Sequence, residues 1–199
     1  MRRRLSLTTL AILAVASGLP SAAAALHPPQ PPQEGKTGIV YTENLVFSLS
    51  APEGWVLDNH SAVQQSLPAV LYPRGSSWKE GAAVMYPTSA RKPASEHPLQ
   101  DVIEETLGQF RAASPDLRVE TLDRAPTGDA RTAEVRKLSG ERQGNVEAIA
   151  FIEEADRVVL LALSTRSEAD FVAALPAFRQ LVGSYSYLSD KVLLPQTPP

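Results

Sequence analysis

The sequence predicts a layered α/β domain with a mainly antiparallel sheet, and features of its C-terminal half carry this prediction. Residues 158–163 (VVLLAL) form a continuous apolar run of strand length, which is typical of a strand covered on both faces. Ser167 follows as a helix N-cap, and apolar residues then recur at helical spacing through Val182. Short connections at 141–145 and 154–156 precede this run and predict an antiparallel meander. A buried strand that leads into a one-sided apolar helix implies a helix packed on a sheet.

Residues 1–25 are predicted to be a secretory signal peptide. Three arginines at positions 2–4 form a basic n-region, residues 5–16 form the apolar h-region, and small residues before position 25 suit cleavage. The apolar run is shorter than the roughly 20 residues that span a bilayer, so a cleaved signal is favoured over an uncleaved anchor. We expect a periplasmic or secreted protein of a Gram-negative bacterium, with no stable membrane span after cleavage. Residues 26–38 are a proline-rich linker that favours an extended conformation.

Composition excludes several classes of site and partner. The 199 residues suit one domain, and the absence of cysteine excludes disulfides, thiolate zinc sites and cysteine nucleophiles. The formal net charge is −3, from 19 basic and 22 acidic residues. Removal of the signal takes away three of the arginines and leaves 16 basic residues against 22 acidic ones. Nucleic acids and anionic membranes are held by clustered positive charge, which this chain lacks. We therefore expect a protein or small-molecule partner and no nucleic acid.

The domain is predicted to span residues 39–185, and its first half contains short strands separated by turns. Short apolar segments bounded by turn residues, the first of them partly alternating, predict four strands, at 46–49, 55–57, 69–72 and 82–86. The last two, joined by the loop 73–78, are expected to pair in antiparallel fashion. Trp55, next to the turn at Pro52, is expected to pack on the core.

A helix and a run of strands complete the predicted domain. Pro98 stands at the favoured first position of a helix whose apolar residues recur on one side through Phe110. Strand patterns return from Leu117 and lead into the meander that ends with residues 158–163. Residues 186–199 form a C-terminal tail without clear periodicity, which we expect to dock through Val192, Leu193 and Leu194.

Two short patterns resemble the PsbP-like superfamily. One is the Pro-x-Gly-Trp turn after the first strand, at residues 52–55, and the other is the final strand followed by a helix with Phe171 and Phe178 that ends in Ser184-Tyr185. The resemblance implies an α+β fold, a three-layer α/β/α sandwich around a mainly antiparallel sheet. It also implies a binding or assembly role without a transferable catalytic set, as in exported bacterial proteins of unknown function.

Metal and cofactor sites are not predicted. The three histidines, His27, His60 and His97, lack the spacing of three or four residues that would place two ligands on one helix face. Acidic pairs such as Glu104-Glu105 lack the loop spacing that calcium requires, so they are expected to be solvated.

The candidate ligand-binding residues are Asp58, His60, Arg74 and Trp78. Asp58 and His60, with a serine nearby, provide the residue types of a hydrolase triad, although no Gly-x-Ser-x-Gly motif is present. The loop from Arg74 to Trp78 has the glycine, serines and guanidinium that could hold an anion, or it is a turn whose tryptophan packs on the core. A ligand site is expected where this loop meets Asp58 and His60.

Three functions are consistent with the sequence. The preferred hypothesis is an exported, non-catalytic binding or assembly module of the periplasm or cell envelope. The first alternative is a cell-envelope hydrolase with a pocket around His60, which requires its imidazole to contact a carboxylate and a hydroxyl. The second is a protein that docks through an exposed sheet edge, which requires an unpaired outer strand.

Overall fold

A computed structural model describes residues 37–42 and 44–191 of the protein. These residues form ten strands and two α-helices in an α+β fold. The strands are β1 Thr37–Thr42, β2 Leu45–Ser50, β3 Trp55–Asp58, β4 Val70–Pro73, β5 Ala83–Arg91, β6 Arg118–Pro126, β7 Thr132–Ser139, β8 Val146–Glu153, β9 Arg157–Thr165 and β10 Ser186–Ser189. The helices are α1 Pro98–Ala113 and α2 Glu168–Ser184. The predicted signal peptide, the linker before residue 37 and the apolar triplet 192–194 of the tail lie outside the described residues.

Seven strands form one antiparallel sheet in the order β3-β4-β5-β9-β8-β7-β6. The predicted pair of β4 with β5 and the predicted meander of β7, β8 and β9 are both confirmed. β9 lies between β5 and β8, and its six residues 158–163 are at most 7% exposed. The continuous apolar run is therefore a strand covered on both faces, as predicted.

The two helices cover opposite faces of this sheet. Val159, Leu161 and Leu163 of β9 share a core with Phe171 and Phe178 of α2. The alternate residues of β9 face the other way, because successive side chains of a strand point to opposite faces. They pack with α1 in a second core that contains Val102, Ile103, Leu107, Leu138, Ile149, Phe151, Val158 and Leu160. The three-layer α/β/α arrangement is confirmed.

A separate three-stranded sheet adds to the layer that contains α2. Its strand order is β1-β2-β10, and both neighbours of β2 run antiparallel to it. Val40, Phe47 and Leu49 project from its inner face into the core that α2 lines. The first predicted strand, 46–49, lies within β2, but the sequence pattern does not predict its partners β1 and β10.

Helix α2 begins as predicted and ends differently. The Ser167 hydroxyl oxygen accepts a hydrogen bond from the Asp170 N–H at 3.1 Å and donates one to the Asp170 carboxylate at 2.6 Å. Gly183 predicts the end of the helix, because glycine is favoured just after the last turn, but the helix continues to Ser184 and Tyr185 follows in an extended conformation. Because the chain passes directly from Tyr185 into β10, no left-handed glycine is required there.

Gly140, which follows β7, is predicted to be intolerant of substitution. Its φ of +77° is strained for other residues, and a Cβ atom there would lie 2.6 Å from the Asp116 carbonyl oxygen. Gly144 provides a matched control, because its φ is +80° but nothing lies within 4 Å of its Cβ position. In urea denaturation we expect G144A to cost about 1 kcal/mol and G140A at least about 2 kcal/mol. Equal losses would contradict the steric role of Asp116.

Candidate functional site

Asp58 organises the loop that follows β3. Its carboxylate is buried and accepts hydrogen bonds from the His60 N–H at 2.8 Å, the Ser61 N–H at 2.9 Å, the Ser61 hydroxyl at 2.5 Å and the Tyr72 hydroxyl at 2.9 Å. Burial acts to raise the pKa of Asp58, but the hydrogen bonds outweigh it and hold the pKa below its usual value. Burial and the nearby Asp58 raise the pKa of Tyr72 to about 12. Asp58 is therefore an ionised anchor for the turn.

His60 does not form a catalytic triad with its neighbours. Its side chain is exposed, and its contact with Asp58 is made by the backbone N–H. The Ser61 hydroxyl donates directly to the Asp58 carboxylate rather than to the imidazole. A triad requires the imidazole between hydroxyl and carboxylate, so that it can take the proton of the nucleophile. The geometry gives no support to the hydrolase alternative.

Arg74 and Trp78 lie in different surroundings. Arg74 is exposed, and its N–H donates to the Gly54 carbonyl at 2.7 Å, at the opposite end of the β3–β4 pair from Asp58. A four-residue strand is roughly 13 Å long, so the backbone of Arg74 is separated from the Asp58 turn by the length of the pair. Trp78 is 8% exposed and belongs to an apolar cluster with Tyr72.

The four candidate residues therefore do not all converge. Tyr72 links Asp58 to the cluster that contains Trp78, whereas Arg74 lies at the far end of the strand pair. Trp78 packs on the core, as one of the two sequence interpretations requires. Its indole N–H is buried without a hydrogen-bond partner. A ligand-binding role for the four residues stays a prediction.

Replacing Asp58 and His60 separately distinguishes an anchor from a reactive site. We expect D58A to destabilise the domain by about 2 kcal/mol or more, because buried donors lose a charged acceptor. H60A should change the free energy of unfolding by less than about 0.5 kcal/mol, since the exposed imidazole makes no hydrogen bond within the described chain. Urea denaturation measures both values. A larger loss for H60A than for D58A would overturn this assignment.

Glu147, on β8, is a buried carboxylate that the sequence pattern did not single out. Its side chain is 5% exposed, and its Oε2 atom is buried without a hydrogen-bond partner. Burial and the negative charge of Glu141 raise the pKa of Glu147 to about 8, although a hydrogen bond from Ser164 opposes the shift. Burial also raises the pKa of Glu141, whose Oε1 atom lacks a partner. The sequence could have indicated the burial of Glu147. Residues of a strand alternate between its two faces, and Glu147 lies on the same face as the buried Ile149.

These carboxylates do not form a recognisable metal centre. Within residues 37–42 and 44–191, no group of three or more histidine, cysteine, aspartate or glutamate side chains is arranged to hold a metal ion. The raised pKa of Glu147 favours its protonated form in the folded domain. Burial and the charges of Glu147 and Glu141 also raise the pKa of Tyr86.

The long edge strand of the large sheet is protected against pairing. β6 has nine residues, and among the described strands it pairs with β7 alone. It carries Arg118, Glu120, Asp123 and Arg124, its register is interrupted after Leu122, and it ends in a proline. Charges, bulges and prolines are the devices that prevent a further strand from adding to an edge. The opposite edge, β3, has only four residues, which also limits pairing.

An edge of the small sheet is covered by a loop. The Tyr187 N–H of β10 donates to the Asp129 carboxylate at 3.0 Å, and the Gly128 N–H donates to the Tyr185 carbonyl at 2.9 Å. The connection between β6 and β7 thus forms hydrogen bonds with the backbone groups of Tyr185 and Tyr187 at this edge. The Arg131 guanidinium also lies 5.5 Å from the centre of the Tyr187 ring.

β1 is the edge strand that lacks all of these protections. Its six residues, TGIVYT, pair with β2 in an unbroken register from Thr37 to Thr42. No described residue pairs with its other side. The strand contains no charge, proline or bulge. Such an edge presents unpaired N–H and C=O groups to another chain.

Comparison with solved structures shows what this architecture is similar to. The solution structure of cyanobacterial PsbP from Synechocystis sp. PCC 6803 matches 77% of this chain and 94% of its own, with 13% identity and a TM-score of 0.48. The chain is similar to PsbP in fold. This likeness concerns the fold, and nothing about activity or partner follows from it.

Two further solved structures are similar to this chain. The Ran-binding protein Mog1p of Saccharomyces cerevisiae matches 67% of this chain and 81% of its own, with 9% identity and a TM-score of 0.41. A Pseudomonas aeruginosa protein of unknown function, described as a putative regulator, matches 82% of this chain and 100% of its own, with 15% identity and a TM-score of 0.39. No family model and no curated protein matched the chain. In its described part, neither α-helix has the length and apolar character needed to cross a membrane.

Proposed function

We propose that this protein is an exported, non-catalytic binding or assembly module that takes up an extended segment of a partner protein beside β1. The observation that carries the proposal is the contrast among edge strands. β6 is charged and irregular, and a loop lies against β10, whereas β1 is regular and uncharged, and no described residue pairs with its outer side. A regular uncharged edge is the kind of surface to which a further strand adds.

The chemistry of β1 defines the partner segment. Main-chain hydrogen bonds would supply the affinity, and they require an extended segment without proline. Ile39 and Tyr41 project from the same face of β1, with 47% and 58% of their surfaces exposed. Opposite Ile39 and Tyr41, β-branched or aromatic residues of the partner segment would give the most favourable cross-strand contacts. The partner segment is therefore an uncharged, β-prone stretch of about six residues.

The non-catalytic part of the proposal is supported by the geometry around His60. The hydroxyl of Ser61 is bound to Asp58, and no general base contacts it in the described domain. The hydrogen bonds from His60, Ser61 and Tyr72 explain why a carboxylate is present at position 58, so no reaction is needed to explain it. Catalysis by this turn would require it to rearrange.

Export is proposed from the N-terminal sequence. The basic, apolar and small-residue regions of residues 1–25 are those of a secretory signal. The test is N-terminal sequencing of the protein recovered from the periplasm of a Gram-negative host. A mature chain that starts close to residue 26 would support export, whereas an intact N-terminus in the cytoplasm would exclude it.

Strand addition is tested with a peptide of defined sequence. The probe is the β2 sequence LVFSLS with flanking lysines for solubility, because β1 already pairs with these residues in register. We expect the protein to bind this peptide and Y41K to bind it roughly tenfold more weakly, since a lysine protects an edge. The matched control is T121K on the exposed part of β6, which should bind as the wild type does. No binding, or an equal loss in both variants, would contradict the proposal.

A further inference from the structure

The outer face of the small sheet carries an exposed apolar patch, distinct from the hydrogen-bonding edge of β1. Ile39 and Tyr41 are 47% and 58% exposed, and Leu188 of β10 is 48% exposed. Tyr187 packs against the inner core, whereas Leu188 lies at an irregularity in the register of β10 with β2 and is exposed rather than part of that core. Val46 of β2 lies opposite Tyr41 and is 7% exposed. The patch is defined as Ile39, Tyr41 and Leu188, which lie on β1 and β10 and flank the buried Val46 of β2.

The part of the C-terminal tail that follows β10 starts beside this patch. Lys191 is positioned by a hydrogen bond from its N–H to the Ser189 hydroxyl oxygen at 2.9 Å, directly after β10. The next residues are Val192, Leu193 and Leu194, followed by Pro195. Neighbouring strands are about 4.8 Å apart, so β1 lies roughly 10 Å from β10 across the sheet. Three or four extended residues span that distance.

We propose that the apolar triplet Val192–Leu194 of the tail packs across this patch. Attachment to β10 gives the triplet a high effective concentration at the patch, which an unattached segment lacks. The triplet is uncharged, as is every residue of the patch, so packing places no charge in an apolar contact. Pro195 then limits the contact, because it cannot donate to a further strand. The tail covers the face of the sheet and leaves the outer edge of β1 open.

The cysteine-free sequence allows a direct test. A single cysteine introduced as Q196C carries a nitroxide spin label on the full chain, and NMR measures which amide signals it broadens. We expect loss of signal at Ile39, Tyr41 and Leu188. The amides of β6, on the far edge of the large sheet, are the internal reference and should retain their intensity. Broadening confined to the residues next to Lys191 would overturn the proposal.

A second variant separates specific packing from mere proximity. The same labelled chain with L193S and L194S keeps the tail length but removes its apolar side chains, and the signals of Ile39 and Tyr41 should recover. Unchanged broadening would overturn the proposal. Mixing spin-labelled chain with unlabelled, isotope-enriched chain tests for a second copy, and broadening in that mixture would show that the tail covers another molecule instead. None of these outcomes depends on strand addition at β1, which the peptide experiment tests separately.

Discussion

Replacing Glu147 with glutamine is expected to stabilise the domain at alkaline pH and to have little effect near pH 4.5. The folded domain raises the pKa of Glu147 from 4.5 to about 8, through burial and through the charge of Glu141. In the unfolded chain the carboxyl group ionises near its ordinary value. Between about pH 4.5 and pH 8 the folded state therefore binds more protons than the unfolded state. The stability of the wild type falls as the pH rises through this window.

The expected size of this effect is large. A shift of this magnitude corresponds to about 5 kcal/mol, which is fully present as a penalty once the pH exceeds the folded-state pKa of about 8. E147Q cannot ionise at this position. Its free energy of unfolding should therefore lack the fall with rising pH that the wild type shows in urea denaturation series from pH 4.5 to pH 9. E120Q, on the exposed strand β6, is the control and should follow the wild type. A difference between E147Q and wild type that does not vary with pH would contradict the burial of this proton.

Replacing Arg131 with methionine is expected to destabilise the domain by about 3 kcal/mol. The Arg131 guanidinium contacts the Glu154 carboxylate at 2.7 Å and the Asp129 carboxylate at 2.5 Å, and the Glu154 side chain is only 3% exposed. The Tyr185 hydroxyl donates to the same Glu154 oxygen at 2.6 Å. Removal of the arginine leaves a buried carboxylate without its closest cation, which is costly. Burial already raises the pKa of Glu154, and loss of the arginine should raise it further.

A double variant tests whether this loss comes from an unpaired charge. R131M with E154Q removes both charges, so it should recover a large part of the stability lost in R131M alone. Hydrogen exchange should also show faster exchange in β10, because Asp129, which accepts from the Tyr187 N–H, loses its cation. Additive losses in the double variant would contradict a coupled network.

The central layers of the fold could be predicted because their signals are local. The apolar run of β9 and the periodic apolar stripe of α2 each lie within one short stretch of sequence, and both are buried as expected. The pairing of β5 with β9 joins residues about 70 positions apart. No short-range pattern encodes such a pairing, and the same holds for β10 with β2.

The candidate site could be predicted only in part, for physical reasons. The residue types of Asp58 and Trp78 stand out in their turns, but the sequence does not show that Tyr72 donates to Asp58 and packs with Trp78. Arg74 was grouped with them by proximity in sequence, and the antiparallel pair of β3 and β4 places it at the opposite end. The burial of Glu147 depends on distant parts of the chain, because the sheet pairs it with Ser164 of β9.

Residue-resolved hydrogen exchange tests the central claim most directly, because it reports on the backbone groups of β1 themselves. The exchange of the amides from Thr37 to Thr42 and of those in β6 is compared in the free protein and with the LVFSLS peptide bound. The account predicts that the peptide slows exchange in alternate amides of β1 and leaves β6 unchanged. Protection in β6 instead of β1, or protection in neither strand with peptide in excess, would contradict it.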